Sequence, residues 1–276
     1  MAVDMLSYIE RQSPIHNLTG ATKLLCFLMW SAAGMLTYDT RVLLFLFVGS
    51  IVIFKISKVK WREISFIIYF ILIFLIINDV AIFIFSPQEG VKIYGTKHVL
   101  FPIAGNYVVT AEQLFYEFNV TLKYLTVIPT ALLFILTTNP SEFASSLNRI
   151  GVSYRVAYSV AIALRYIPDI QRDFRDISLA QQARGIDLSR KEKLFKRIKN
   201  ASAIVLPLIF SSLERIETIS NVMELRGFGK NNKRTWYAAR PFQTQDYVAL
   251  TFVAAVLIVS LIVTFHDGNR FYNPFV

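Results

Sequence analysis

Residues 64–85 form an apolar run broken by one carboxylate, Asp79. Such a run constrains the chain more than any other feature. A helix needs about 20 mostly apolar residues to cross a hydrocarbon core. In lipid every backbone polar group must be satisfied inside the segment, and a helix does that. Comparable runs lie at 24–38, 42–56, 120–136 and 247–265. The first two are joined only by Asp39-Thr40-Arg41 and are short, so flanking residues or local thinning must complete them. Hydrophobic residues make up 54% of the chain, against about 45–50% in soluble domains. The expected fold is an all-α membrane protein with about five transmembrane helices.

The net charge of +10 falls in a few segments between spans. Nucleic-acid binding is the ordinary reading of a basic chain, but this placement fits the positive-inside bias instead. Lys55, Lys58, Lys60 and Arg62 follow the second run, so that connection is expected inside. The connection at 86–118 has Lys92 and Lys97 offset by Glu89 and Glu117, so it is expected outside. The stretch 139–200 holds eight arginines and four lysines, and Lys230, Lys233, Arg234 and Arg240 precede the last run. Five spans with the N-terminus in and the C-terminus out satisfy all of these. Residues 1–22 mix acid and base ahead of the first run, and no cleaved signal peptide is expected. Gly90, Gly95, Pro102 and Gly105 in the outer connection allow a short hairpin or an interfacial lid.

The boundaries expected are 1–138, a membrane domain of four spans; 139–229, cytoplasmic amphipathic helices; and 230–276, a basic linker with the last span. In the middle segment, Asn139-Pro140 reads as an N-cap with proline at the first helical position. Phe143, Leu147 and Ile150 follow at helical spacing, and Gly151 stops the helix. A second helix begins near Tyr154, with Pro168 set to kink or restart it. Ile170, Phe174 and Ile177 make its apolar stripe, while Asp169, Asp173 and Asp176 with Arg172 and Arg175 read as a solvated charged face. After a basic linker at 190–199, Ile209, Leu213, Ile216 and Met223 form a narrow seam suited to helix contact.

Both long helices end in Arg-Gly, at Ala183-Arg184-Gly185 and Leu225-Arg226-Gly227, with the arginines 42 residues apart. Glycine after the last turn is how many helices stop, and a cation there complements the helix dipole. Two such ends in one basic segment also offer two exposed guanidiniums, whose planar fork suits a carboxylate on a partner.

The run TTNPSEFASSLNRIGVSYRVAYSVAIALRYIPDIQRDFRDISLAQQARGID, with the later ETISNVMELRGFGKNNKRTWY, resembles the coupling region of the T components of energy-coupling-factor (ECF) transporters, the EcfT/CbiQ family. The resemblance spans about residues 15–265 and is most specific over 139–237. The first motif matches the family's Ala-Arg-Gly; the second has Leu225 where Ala is usual. The resemblance implies a cell-membrane, multi-pass subunit with cytoplasmic coupling helices, and no catalytic residues of its own. It implies two EcfA-type ABC ATPases as partners, which bind ATP and Mg, and a small substrate-capturing membrane protein, the S component. Arg184 would engage one ATPase and Arg226 the other. The stripes Ile170/Phe174/Ile177 and Ile209/Leu213/Ile216 would face the S component or lipid, or else pack on each other. The cargo implied is a vitamin, with thiamine or its pyrimidine precursor expected and cobalt or nickel the alternative.

Asp79 and Lys123 fall at similar depth in two spans. A buried ion pair is the plain reading, and a proton or ion path the sharper one. A membrane-embedded enzyme centred on these two residues is the rival function. A self-contained carrier would show paired halves or broken helices, and none is evident. Gly227-Phe228-Gly229-Lys230 lacks the spacing and hydroxyl of a phosphate loop. Cys26 and the isolated His16, His98 and His266 show no metal-ligand spacing.

Overall fold

The computed structural model describes residues 11–104, 107–186, 194–230, 235–236, 239–266 and 270–275. Residues 1–10, where a signal peptide is not expected, lie outside them. So do Arg190, Lys191, Lys193, Lys233 and Arg234, five of the cations that carry the orientation argument.

The elements in chain order are α1 (Pro14–Asn17), α2 (Gly20–Leu36), α3 (Thr40–Ile56), α4 (Trp61–Phe85), α5 (Glu89–Tyr94), β1 (Val99–Ala104), β2 (Tyr107–Thr110), α6 (Ala111–Thr137), α7 (Pro140–Arg149), α8 (Tyr154–Ala183), α9 (Leu194–Leu225) and α10 (Thr244–Phe265). They divide into two units, residues 1–139 with 240–276, and residues 140–239. The protein is an all-α membrane protein apart from the antiparallel β1–β2 hairpin. Ile64–Phe85, Ala111–Thr137 and Thr244–Phe265 are each long and apolar enough to cross a bilayer. With 17 residues each, α2 and α3 reach only about 25 Å as helices.

In the first unit, α2, α3, α4, α6 and α10 run alternately between two ends. At one end Lys23 donates to the carbonyls of His16 and Thr137, at 3.2 and 2.7 Å. Asp246 accepts from the backbone N–H of Thr19 at 2.8 Å, and Arg11 reaches the Lys58 carbonyl. The C-terminal end of α6 and the N-terminal end of α10 lie at this end. At the other end Arg270 donates to the carbonyls of Met35 and Leu36. Asn273 donates to the Tyr94 carbonyl, and His98 caps the buried Glu112 through its backbone N–H.

Local chemistry starts the helices. Thr19, Asp39 and Thr110 accept from the backbone N–H groups of Thr22, Arg41 and Gln113. Gln243 and Asp246 form a reciprocal capping box for α10. Between the ends, Trp30, Ala33, Val42, Leu46 and Val253 make one core cluster. The Trp30 ring lies against Gly49, where a Cβ would come within 2.9 Å of it. Close approach at a small residue is the usual way helices pack in lipid.

One sequence expectation is met here and one changes. The outer connection resolves into α5 and the hairpin, so the hairpin alternative holds. The fourth run begins far earlier than residue 120: α6 starts at Ala111 and carries Glu112, Gln113 and Glu117 inside the helix. Their polar groups are met locally. Gln113 accepts from the Gly90 N–H and donates to Glu117, each at 2.9 Å.

The second unit holds α7, α8 and α9. α7 starts at Pro140, and Gly151 just beyond its end has φ 107°, a left-handed conformation open to glycine. α8 runs unbroken through Pro168 from Tyr154 to Ala183, and α9 through Pro207 from Leu194 to Leu225. α9 thus starts inside the stretch read from sequence as a linker.

Candidate functional site

Both Arg-Gly ends close with the same hydrogen-bond pattern. On α8, the N–H of Gly185 bonds the Gln182 carbonyl at 2.9 Å, and that of Ile186 bonds the Gln181 carbonyl at 3.1 Å. On α9, Gly227 bonds Glu224 and Phe228 bonds Met223, both at 2.9 Å. Gly185 has φ 85° and Gly227 has φ 65°. This is the Schellman ending, in which a left-handed residue after the last turn lets two N–H groups fold back on orphan carbonyls. It leaves Arg184 and Arg226 as the last residues before the chain turns away. Both are exposed, as are Ala183, Gly185 and Leu225. Leu225 is 88% exposed, a bare apolar side chain beside the guanidinium.

Three ties fix the direction of the two helices. Arg155 donates to the Gly229 carbonyl at 3.3 Å, Arg215 to Asp173 at 2.6 Å, and Gln181 to the Ala203 carbonyl at 3.0 Å. Residue numbers rise on α8 as they fall on α9, so the pair is antiparallel. The two arginines therefore point to opposite ends of it. Each lies 11 residues past its own member of the Asp173–Arg215 pair. At about 1.5 Å per residue that separates them by about 33 Å along the pair.

The ends differ in their support. Beyond Arg226, Phe228 packs on Tyr154 and Tyr158 with ring centroids 5.8 and 4.8 Å away. Trp236 joins them at 5.4 and 6.1 Å, and its indole N–H donates to Asn148 on α7 at 3.1 Å. An aromatic box thus joins this end to the α7–α8 junction. Beyond Arg184 the described residues stop at Ile186. No sequence motif marks this box. Its only signals were Tyr154 and Tyr158 at i, i+4 and a Phe directly after Gly227. Asp173, read as part of a solvated face, instead binds Arg215.

The apolar stripes are not consumed by packing on each other. Ile170 and Phe174 are 40% and 44% exposed, and Ile209, Leu213 and Ile216 are 47%, 53% and 60% exposed; Ile177 is half-buried. Between α8 and α9 lies an open cleft of ≈ 710 Å³, lined by Ile162, Tyr166, Ile170, Ile216, Ile219 and Met223 among others.

The expected Asp79–Lys123 ion pair does not form. Asp79 accepts from the Thr121 hydroxyl at 2.8 and 3.0 Å. The Lys123 ammonium donates to the Met35 carbonyl at 3.0 Å and stands 3.0 Å from the centre of the Tyr38 ring. Helix periodicity explains the miss: residues two apart on α6 point to nearly opposite sides, so Thr121 meets α4 while Lys123 meets the end of α2. Similar depth did not mean a shared face. Among the described residues no three His, Cys, Asp or Glu side chains gather as a metal site would need.

Comparison with known proteins adds a consistent set of similarities. The family model described as "Cobalt transport protein" (CbiQ) matches residues 11–237. A Staphylococcus aureus protein named energy-coupling factor transporter transmembrane protein EcfT is 24% identical over 269 residues, covering 94% of this chain and 96% of the relative. Proteins of the same name from Clostridium kluyveri and Limosilactobacillus fermentum are 26% and 27% identical, over 92% and 93% of this chain and 94% of each relative.

Proposed function

The chain belongs to the CbiQ/EcfT family of ECF transporter T components, and from that premise we propose that it transmits the ATP-driven motion of two ABC ATPases to a substrate-binding S component. The observation that carries the proposal is the pair of Arg-Gly helix ends, closed by one hydrogen-bond pattern and facing opposite ends of an antiparallel helix pair. An antiparallel helix pair with a guanidinium at each end suits two like subunits, each offering a carboxylate-lined groove. Arg184 engages one ATPase and Arg226 the other. ATP and Mg bind to those partners, which perform the hydrolysis. The exposed faces around Ile170 and Phe174 on α8, and around Ile209, Leu213 and Ile216 on α9, offer apolar surface to the S component.

In this reading the chain crosses the cell membrane five times. The end of the first unit holding Lys23, Lys58 and Arg240 is cytoplasmic, and the end holding Glu112 and Arg270 is external. The alternating course of the five helices and the cations at the first end support that orientation. The S component sets the cargo: a vitamin, with thiamine or its precursor expected. A cobalt or nickel cargo is the second reading, favoured by the description of the matching family model. The rival, an enzyme built on Asp79 and Lys123, has less support, since those side chains take different partners.

The test is affinity capture of the tagged chain from its native membrane, wild type beside Arg184→Glu/Arg226→Glu. Wild type should bring down two ABC ATPases and a small membrane protein, and the double variant should lose the ATPases. An unchanged ATPase yield with the double variant would contradict the reading. The small partner identifies the cargo class.

A further inference from the structure

Proline at 207 removes one backbone N–H from the middle of α9. The lost bond is the one that the carbonyl of Ala203, four residues earlier, would otherwise accept. A helix is softest where a rung is missing, and whatever occupies the freed carbonyl helps to set the bend. Here a residue of the other helix occupies it. The side-chain amide of Gln181 on α8 donates to the Ala203 carbonyl at 3.0 Å.

Gln181 also belongs to the Arg184 helix end. Its own carbonyl accepts the N–H groups of Arg184 and Ile186, both at 3.1 Å, and the second of these closes the Schellman ending. One residue therefore holds the Arg184 cap through its backbone and the Pro207 break through its side chain. From Pro207 onward α9 is the arm that carries Arg226. Pro129 in α6 and Pro168 in α8 free the carbonyls of Leu125 and Leu164 in the same way. Among the described residues no side chain donates to either, so the arrangement at Pro207 is not a general consequence of proline in these helices.

We infer that Gln181 is a positioning residue: it latches the Arg184 helix end to the proline break of α9, so that displacement at Arg184 changes the bend of the arm carrying Arg226. The two arginines are then coupled through the chain itself, at the latch and again at the Asp173–Arg215 bridge. The transmission role rests on the reading of both arginines as ATPase contacts. The latch is a property of the chain alone.

Pro207→Ala gives the test its selectivity. It restores the N–H that serves Ala203 within α9 and makes the Gln181 side chain redundant. The first arm uses the chain alone in nanodiscs, in a Cys26→Ser background, with spin labels at Leu179→Cys and Ala201→Cys, both exposed positions. The distance distribution should be narrow with Gln181 present. It should broaden about twofold with Gln181→Leu and with Gln181→Glu, whose carboxylate cannot donate. It should narrow again in Pro207→Ala/Gln181→Leu.

The second arm uses the complete transporter in proteoliposomes. Gln181→Leu should still capture both ATPases yet lower uptake per ATP hydrolysed several-fold. In the Pro207→Ala background it should lower uptake no further. A narrow distribution with Gln181→Leu, or equal broadening in both backgrounds, overturns the latch. Unchanged uptake per ATP despite broadening overturns the transmission role. A wild-type chain that captures no ATPase overturns that role together with the proposed function, and the distance arm alone then decides the latch.

Discussion

Asp173 and Arg215 meet at 2.6 Å across the antiparallel pair of α8 and α9, and their separation of 42 residues in sequence equals that between Arg184 and Arg226. The bridge therefore stands midway between the two arginine ends, at equal helical distance from each. The Arg215 and Asp173 side chains are 32% and 23% exposed, so water weakens the bridge without removing it. Such a pair contributes about 1 kcal/mol. A double-mutant cycle on Asp173→Ala and Arg215→Ala should return a coupling of that size in thermal unfolding of the chain. The swap Asp173→Arg/Arg215→Asp should recover most of any loss in uptake. Fully additive losses, with no recovery on swapping, would mean that the bridge holds nothing.

The two glycines should respond by backbone conformation. Gly185 has φ 85° with open space around it, and Gly227 has φ 65° with the Lys230 side chain 3.3 Å from a built Cβ. A β-branched residue is strained in that region, while asparagine is tolerated. Gly185→Val and Gly227→Val should each cost about 1–2 kcal/mol at the helix end and lower ATPase capture. Gly185→Asn and Gly227→Asn should stay close to wild type. Quantitative capture of the ATPases checks the order, and equal behaviour of Val and Asn would show that the left-handed turn is not needed.

The aromatic box predicts an asymmetry. Trp236→Ala removes two ring contacts and the hydrogen bond to Asn148. Aromatic pairs of this kind contribute about 0.5–1.5 kcal/mol each. The loss should loosen the Arg226 end and leave the Arg184 end as it was. Cross-linking yields from single cysteines beside each arginine to the ATPases should fall at the first site and hold at the second. A parallel fall at both would indicate general unfolding.

Asp79 should prove dispensable for transport. Its carboxylate accepts from Thr121 and does not meet Lys123, so Asp79→Asn should keep uptake within about twofold, about 0.4 kcal/mol. Lys123→Met removes a donor to the Met35 carbonyl and the cation over Tyr38. It should destabilise the first unit by about 1–3 kcal/mol. Uptake assays and detergent melting separate the two effects.

Much of this was legible in the sequence because it rests on local rules. Apolar length showed the helices at 64–85 and 247–265. Arg-Gly after an amphipathic run showed both helix ends, since only glycine relaxes there. Pro140 and Gly151 bracketed α7. What stayed hidden depends on which faces meet. Asp79 and Lys123 matched in depth and missed in azimuth. Asp173 looked solvated because its partner lies 42 residues away on another helix. Gln181 gives no signal at all, because its role exists only where Pro207 has freed a carbonyl on the neighbouring helix. The early start of α6 escaped because Glu112, Gln113 and Glu117 look too polar for a span until His98 and Gly90 are seen to bond the first two, and Gln113 the third.

The most direct test of the central claim is site-specific photo-crosslinking in native membranes, with a photoreactive residue placed at Arg184, at Arg226 and, as a control, at the exposed Phe70 of α4. The account predicts that the first two positions each label an ABC ATPase subunit and that Phe70 labels none. Labelling of no ATPase from either arginine position, in membranes where the chain is intact, would contradict it.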